Sequence, residues 1–202
     1  PWAFSVSAPS DSCDVAIVGA GPAGMAAACV LAKGGLDVVV LDEQHAPGGQ
    51  IYKGVEKVFA QRPQDVPSLG KEYAAGQALT RRFRESGAQY RPGVSVWQIT
   101  SDQEPELALG LLEEGSARML YPKHVILATG AMERPVPFEG WTLPGVMTVG
   151  AAQTLLKSSR LLPREDVVLA GTGPLLYLYA NQIRDFGIIP QAILDTGPLL
   201  TL

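Results

Sequence analysis

The chain has 202 residues, a formal net charge of −4, 47% hydrophobic and 18% charged residues, which is enough chain to bury a core and an ordinary balance for a globular α/β protein. The acidic balance offers no basic footprint for nucleic acid, and no apolar run reaches the roughly 18 residues that span a bilayer. The opening PWAFSVSAPSDS lacks the basic and apolar regions of a signal peptide, so residues 1–13 read as an N-terminal arm and the protein as cytoplasmic.

Residues 14–18 form a short apolar, β-branched run, residues 38–41 form another, and the Ala-rich segment between them has helical length. This predicts a βαβ unit. Gly19, Gly21 and Gly24 fall at its strand-to-helix turn in G-x-G-x-x-G spacing, with Pro22 and Ala23 inside the motif. The first glycine allows a tight turn, the second leaves bare backbone for a pyrophosphate, and the third lets helix and strand approach. The helix start then offers free N–H groups to the phosphates. Asp42 and Glu43 follow the second strand about 20 residues on, where a carboxylate can accept hydrogen bonds from ribose hydroxyls. Strand, triplet, helix, strand and acid in this order predict dinucleotide binding.

The two cysteines, Cys13 and Cys29, form no C-x-x-C pair, so no metal site and no redox dithiol is expected. Cys29 reads as a small core residue of the Ala-rich helix, and Cys13 as a free thiol just before the first strand.

After Glu43 comes a loop, QHAPGGQIYKG, at the carboxyl edge where open parallel sheets bind ligands. Gly48 and Gly49 allow close backbone approach there, and His45 reads as a solvated loop residue. Residues 52–67 are irregular in pattern. Ser68 is the expected N-cap of a helix running to about residue 86, with Arg81, Arg82 and Arg84 on its outer face. Residues 89–91 and 93–101 read as strands joined through Pro92. Residues 106–112 and 117–121 read as a hairpin, and residues 123–128 as one further buried strand that His124 opens in a structural role. A βαβ unit followed by a helix, an antiparallel excursion and a return strand predicts a nucleotide-binding domain carrying a small β-meander.

Thr129 and Gly130 end that strand, and a proline-rich connector follows. Residues 149–156 read as a helix and 166–170 as a strand. Gly171, Gly173 and Pro174 then open a second turn before a helix over 175–186 and a strand over 191–194, with Asp195 in the position of a ribose-binding acid. Leu176 stands where the third glycine would be. The unit therefore reads either as a second nucleotide site or as a packing copy of the first.

With both glycine turns, the PGGQ at 47–50 and the ILATGAMERP at 126–135 in view, the chain resembles the two-dinucleotide-domain flavoproteins that include the glutathione and thioredoxin reductases. More narrowly, AMERPVPFEGWTLPGVMT and GAAQTLLKS resemble the nucleotide-binding subunits of heteromeric amine and amino-acid dehydrogenases. That group contains the A subunit of opine oxidase, the hydrogen cyanide synthase flavin subunit, proline and hydroxyproline dehydrogenase α and sarcosine oxidase α. The resemblance implies an FAD-dependent oxidoreductase, a flavoprotein of amine dehydrogenase type. It implies a Rossmann-like FAD/NAD(P)-binding fold over residues 14–135, then a linker and the first βαβ unit of a second nucleotide-binding domain over 136–202. The return segment that completes the flavin domain in such proteins is not among these residues, so the C-terminal part of the fold is expected to be missing.

Carried over residue by residue, the resemblance implies that Gly19, Gly21 and Gly24 hold the FAD pyrophosphate and that Asp42 or Glu43 takes the ribose. Gly49 and Gln50 would lie along the cofactor, Val96 near the adenine, and Thr129 and Gly130 would close over it. Gly171, Gly173 and Asp195 would form a second site for NAD(P) or ATP. The same resemblance implies a small amine or amino-acid substrate and a catalytic partner subunit, with any membrane association made through partners. No catalytic acid or base is assigned within these residues. Two rival expectations stand beside this one: an NAD(P)H-dependent flavoprotein reductase that feeds a partner protein, and a non-catalytic adenine-nucleotide-binding subunit.

Overall fold

The computed structural model describes residues 11–101, 107–164 and 166–197. They divide into two compact units, one of Pro1–Tyr52 with Ala78–Gly130 and one of Lys53–Gln77 with Ala131–Leu202. Residues 1–10 of the expected arm and residue 106 of the expected hairpin lie outside the described residues.

The first unit is a six-stranded sheet in the order β3-β2-β1-β6-β5-β4, formed by β1 (Asp11–Val18), β2 (Val38–Asp42), β3 (Gln89–Pro92), β4 (Ser95–Thr100), β5 (Ala108–Glu113) and β6 (Ser116–Leu127). Strands β3, β2, β1 and the second half of β6 run parallel, while β4, β5 and the first half of β6 form the meander. Strands buried on both faces read as unbroken apolar runs, which is why residues 15–18 of β1 and 38–41 of β2 show no polar alternation. On one face Val15, Ile17, Val38 and Val40 meet Met25, Ala28 and Cys29 of α1 (Pro22–Lys33) and Phe83. On the other, Ala16, Val39 and Leu41 meet Val94, Leu109, Leu111 and Leu120. Arg91 also draws the end of the meander toward the sheet. Its guanidinium donates to Glu113 at 3.2 and 2.7 Å and to Asp11 at 2.5 Å, holding the Glu113 carboxyl below its ordinary value.

The strand predictions need two adjustments. β1 begins at Asp11, so Cys13 lies within the strand, buried, and its thiol is pushed up to about 11, chiefly by burial and then by Asp37. The expected break between residues 121 and 123 does not exist, and β6 runs through Pro122 as one strand of 12 residues. Pairing to β5 stops at Leu120, beyond which β6 pairs with β1, so a residue without an N–H is tolerated there.

The second unit contains α2 (Val55–Gln61), a 3-10 turn (Pro63–Asp65), α3 (Val66–Leu69) and the first half of α4 (Lys71–Arg84). To these it adds α5 (Val149–Ser159), β7 (Val168–Gly171), α6 (Pro174–Asp185) and β8 (Ala192–Asp195). The segment expected to be irregular is thus helical, its Val55 and Val58 buried one turn apart. The helix expected from Ser68 is split, because Gly70 adopts φ 98° and α4 starts only at Lys71.

A chain of buried side-chain amides ties this insertion to the later helices. Lys157 Nζ donates to Gln153 Oε1 at 2.9 Å, Gln153 Nε2 to Gln182 Oε1 at 3.0 Å, and Gln182 Nε2 to the Leu69 carbonyl at 3.0 Å. Arg62 donates to the Lys157 carbonyl at 2.6 Å, satisfying a last-turn acceptor of α5. Burial pushes the Lys157 ammonium down to about 8. Between that value and the ordinary lysine value of about 10.4 the unfolded chain holds more protons than the folded one, so stability rises with pH across this window. Lys157→Met should remove a rise of about 2 kcal/mol between pH 7.5 and 9.5 in urea unfolding, and an unchanged pH slope would show that the charge of this lysine does not oppose folding.

Candidate functional site

The first glycine turn is built by close backbone contact. A Cβ on Gly24 would stand 1.9 Å from the Gly19 carbonyl oxygen, and one on Gly19 would stand 2.3 Å from the Ala128 carbonyl oxygen. Glycine at these positions lets α1 and the end of β6 approach the turn, the close approach the motif requires. The Ala128 N–H donates to the Val18 carbonyl at 2.8 Å, which sets Thr129 and Gly130 beside the turn. A Cβ on Gly21, by contrast, would meet only the Cα of Gly49, at 3.9 Å. The middle of the turn is therefore open on the side where Pro22 and Ala23 begin the helix.

The loop after β2 is fastened to the same turn. Gly48 donates to the Ala20 carbonyl at 2.8 Å, and Gly49 lies against Gly21, while Gln50 is exposed. The two adjacent acids have different jobs. Asp42 Oδ2 accepts from the Ala20 N–H at 2.6 Å and Oδ1 from the Gln44 N–H at 2.7 Å, so both its oxygens are held by main chain. Glu43 is exposed, and its Oε1 accepts from the Gln44 side-chain amide at 3.4 Å. The structure thus brings Gly19, Gly21, Pro22, Ala23, Gly24, Asp42, Glu43, Gly49, Thr129 and Gly130 to one edge of the first unit.

Val96, on β4, is half-buried and packs against the core of the first unit. The turn before β4 is bonded to the segment that carries the acids: the Val94 N–H donates to the Asp42 carbonyl at 3.0 Å and the Gly93 N–H to the Gln44 carbonyl at 3.3 Å. His45 is exposed, its ring against Gly93.

The second glycine turn repeats the first in the other unit. β7 and β8 pair in parallel with Gly171 opposite Asp195, the register that carries Gly19 to Asp42 in the first unit. A Cβ on Gly171 or Gly173 would meet nothing within 4 Å, and Leu176 is buried in the place of the third glycine. Asp195 Oδ1 accepts from the Gly197 N–H at 2.8 Å, and Oδ2 accepts from the Tyr177 hydroxyl. The Tyr177 hydroxyl, and then the Gly197 N–H, hold the Asp195 carboxyl below the usual range. No helix among the described residues is long and apolar enough to cross a membrane.

Comparison with known proteins places this architecture. The profile of the pyridine nucleotide-disulphide oxidoreductases matches residues 13–188. The chain belongs to that family. It is 47% identical to the A subunit of opine oxidase from Agrobacterium tumefaciens (strain Ach5) over 93% of this chain and 38% of the relative. It is 38% identical to hydrogen cyanide synthase subunit HcnB of Pseudomonas aeruginosa over 85% of this chain and 36% of the relative. The crystal structure of L-proline dehydrogenase from P. horikoshii shares the fold with a TM-score of 0.72 at 23% identity, covering 93% of this chain and 37% of that one. The chain therefore spans less than two fifths of the length of these relatives.

Two substitutions separate folding from binding at the first turn. Gly24→Ala should cost about 3 kcal/mol, read as a lowered urea midpoint, because the methyl enters the Gly19 carbonyl. Gly21→Ala has room for its methyl and should leave the midpoint within about 0.5 kcal/mol while nucleotide retention on gel filtration falls.

Proposed function

We propose that this chain is the nucleotide-binding part of an FAD-dependent oxidoreductase that works with a catalytic partner subunit on a small amine or amino acid of the opine type. In this reading residues 14–135 are the FAD-binding domain, and residues 136–202 are a linker and the start of a second nucleotide-binding domain. One observation carries the proposal. Glu43 stands exposed beside a glycine turn whose middle is open, and Asp42 organises that turn.

These residues fit the adenosine diphosphate end of FAD. The N–H groups at the start of α1 and the bare backbone at Gly21 suit a diphosphate, and Glu43 suits the ribose hydroxyls. The contact of Gly49 with Gly21 and the bond that sets Thr129 and Gly130 beside the turn support a cofactor that runs on past Gly49, Gln50, Thr129 and Gly130. When bound, the flavin supplies the acceptor for a hydride from the carbon next to the amine nitrogen. The chain's own part is to orient the cofactor, and its exposed acid at the ribose position disfavours a 2′-phosphate there.

The relatives support the choice of substrate class and partner. Two of them carry the names of subunits, and the more similar belongs to an opine oxidase. The second glycine turn supports a variant of this reading, in which NAD(P)H reduces the flavin and a partner protein receives the electrons.

The full-length protein should carry flavin absorbance, and the nucleotide released on denaturation should have the mass of FAD. Glu43→Gln should weaken FAD binding about tenfold with the fold intact, through the loss of charge-assisted bonds to ribose. Release of ATP or NAD with no flavin would replace this proposal with that of a non-catalytic nucleotide-binding subunit.

A further inference from the structure

The two βαβ units differ in how the acid at the end of their second strand is satisfied. Asp42 and Asp195 stand at matching positions in register, and each lets Oδ1 accept from the N–H two residues on. Their second oxygens diverge. Asp42 Oδ2 takes the N–H of Ala20, the middle residue of G-A-G, at 2.6 Å. Asp195 Oδ2 takes the hydroxyl of Tyr177 instead, from the first turn of α6. Thr172, the middle residue of G-T-G, therefore keeps its N–H without an acceptor among the described residues.

This exchange has a sequence cause. Tyr177 occupies the place of Met25, which is buried in the first unit's core, whereas Tyr177 is half exposed and reaches the carboxylate. The flanking Gly171 and Gly173 leave open space on the same turn. Backbone N–H groups in a glycine turn at a helix start are donors for phosphate oxygens, and one already bound to a carboxylate is lost to that purpose.

Resting on the reading of the second turn as a nucleotide site, we infer that Tyr177 is a positioning residue that holds Asp195 away from Thr172 and so keeps the Thr172 N–H open to a phosphate oxygen of a dinucleotide. In this arrangement Asp195 does not grip the ligand. Without the tyrosine hydroxyl, its carboxylate turns onto the Thr172 N–H as Asp42 does onto Ala20, and it sets a negative charge where the phosphate belongs.

The test is titration of the full-length protein, saturated with FAD, by NADH followed through nicotinamide fluorescence. Tyr177→Phe should weaken NADH binding about tenfold, the worth of one hydrogen bond to a charged group. Adding Asp195→Ala to Tyr177→Phe should restore most of that loss, because no carboxylate remains to take the Thr172 N–H. A merely structural role for Tyr177 would not be rescued by removing its partner. Any of three results overturns the inference: no NADH binding by the unaltered protein, equal binding by Tyr177→Phe, or a double variant no tighter than the single one. Flavin absorbance, recorded on the same samples, reports separately on the first turn, so failure there is not confused with failure here.

Discussion

The contact on which the first unit depends is that of bare backbone against bare backbone at the glycine turn. Gly24 faces the Gly19 carbonyl, and Gly19 faces the Ala128 carbonyl, at separations no side chain could enter. Those approaches bring α1, the end of β1 and the end of β6 to one point. The Asp42 carboxylate then fixes the conformation by taking the Ala20 N–H, and the loop after β2 is pinned through Gly48 to the Ala20 carbonyl. The open backbone at Gly21 and the exposed Glu43 are what remain when these internal obligations are met.

Much of this was legible in the sequence because local pattern and tertiary role coincide there. The glycine spacing, the apolar runs of β1 and β2 and the acids after them report one βαβ unit, and the structure supplies it with the expected edges displaced by a few residues. The choice between Asp42 and Glu43 was not legible. Two adjacent carboxylates look alike in a string of letters, and only the hydrogen bonds show that one of them braces the turn.

The misread segments share a physical origin. Residues 55–69 form helices too short to show a period, and their helical state is fixed by partners such as Gln182 that lie far along the chain. The unbroken β6 was misread because a proline ordinarily interrupts a strand, and only the change of partner from β5 to β1 explains why this one does not.

The amide relay from Lys157 through Gln153 and Gln182 to the Leu69 carbonyl bears on the order in which the chain matures. A ribosome delivers the Lys53–Gln77 stretch well before the residues of α5 and α6 that complete its bonding. At synthesis rates of about 5–20 residues per second, the interval lasts several seconds, during which the Leu69 carbonyl lacks the Gln182 amide that it accepts from in the folded protein. The glycine-turn edge of the first unit needs none of those late residues, so it can be organised while the interleaved helices are still waiting for theirs.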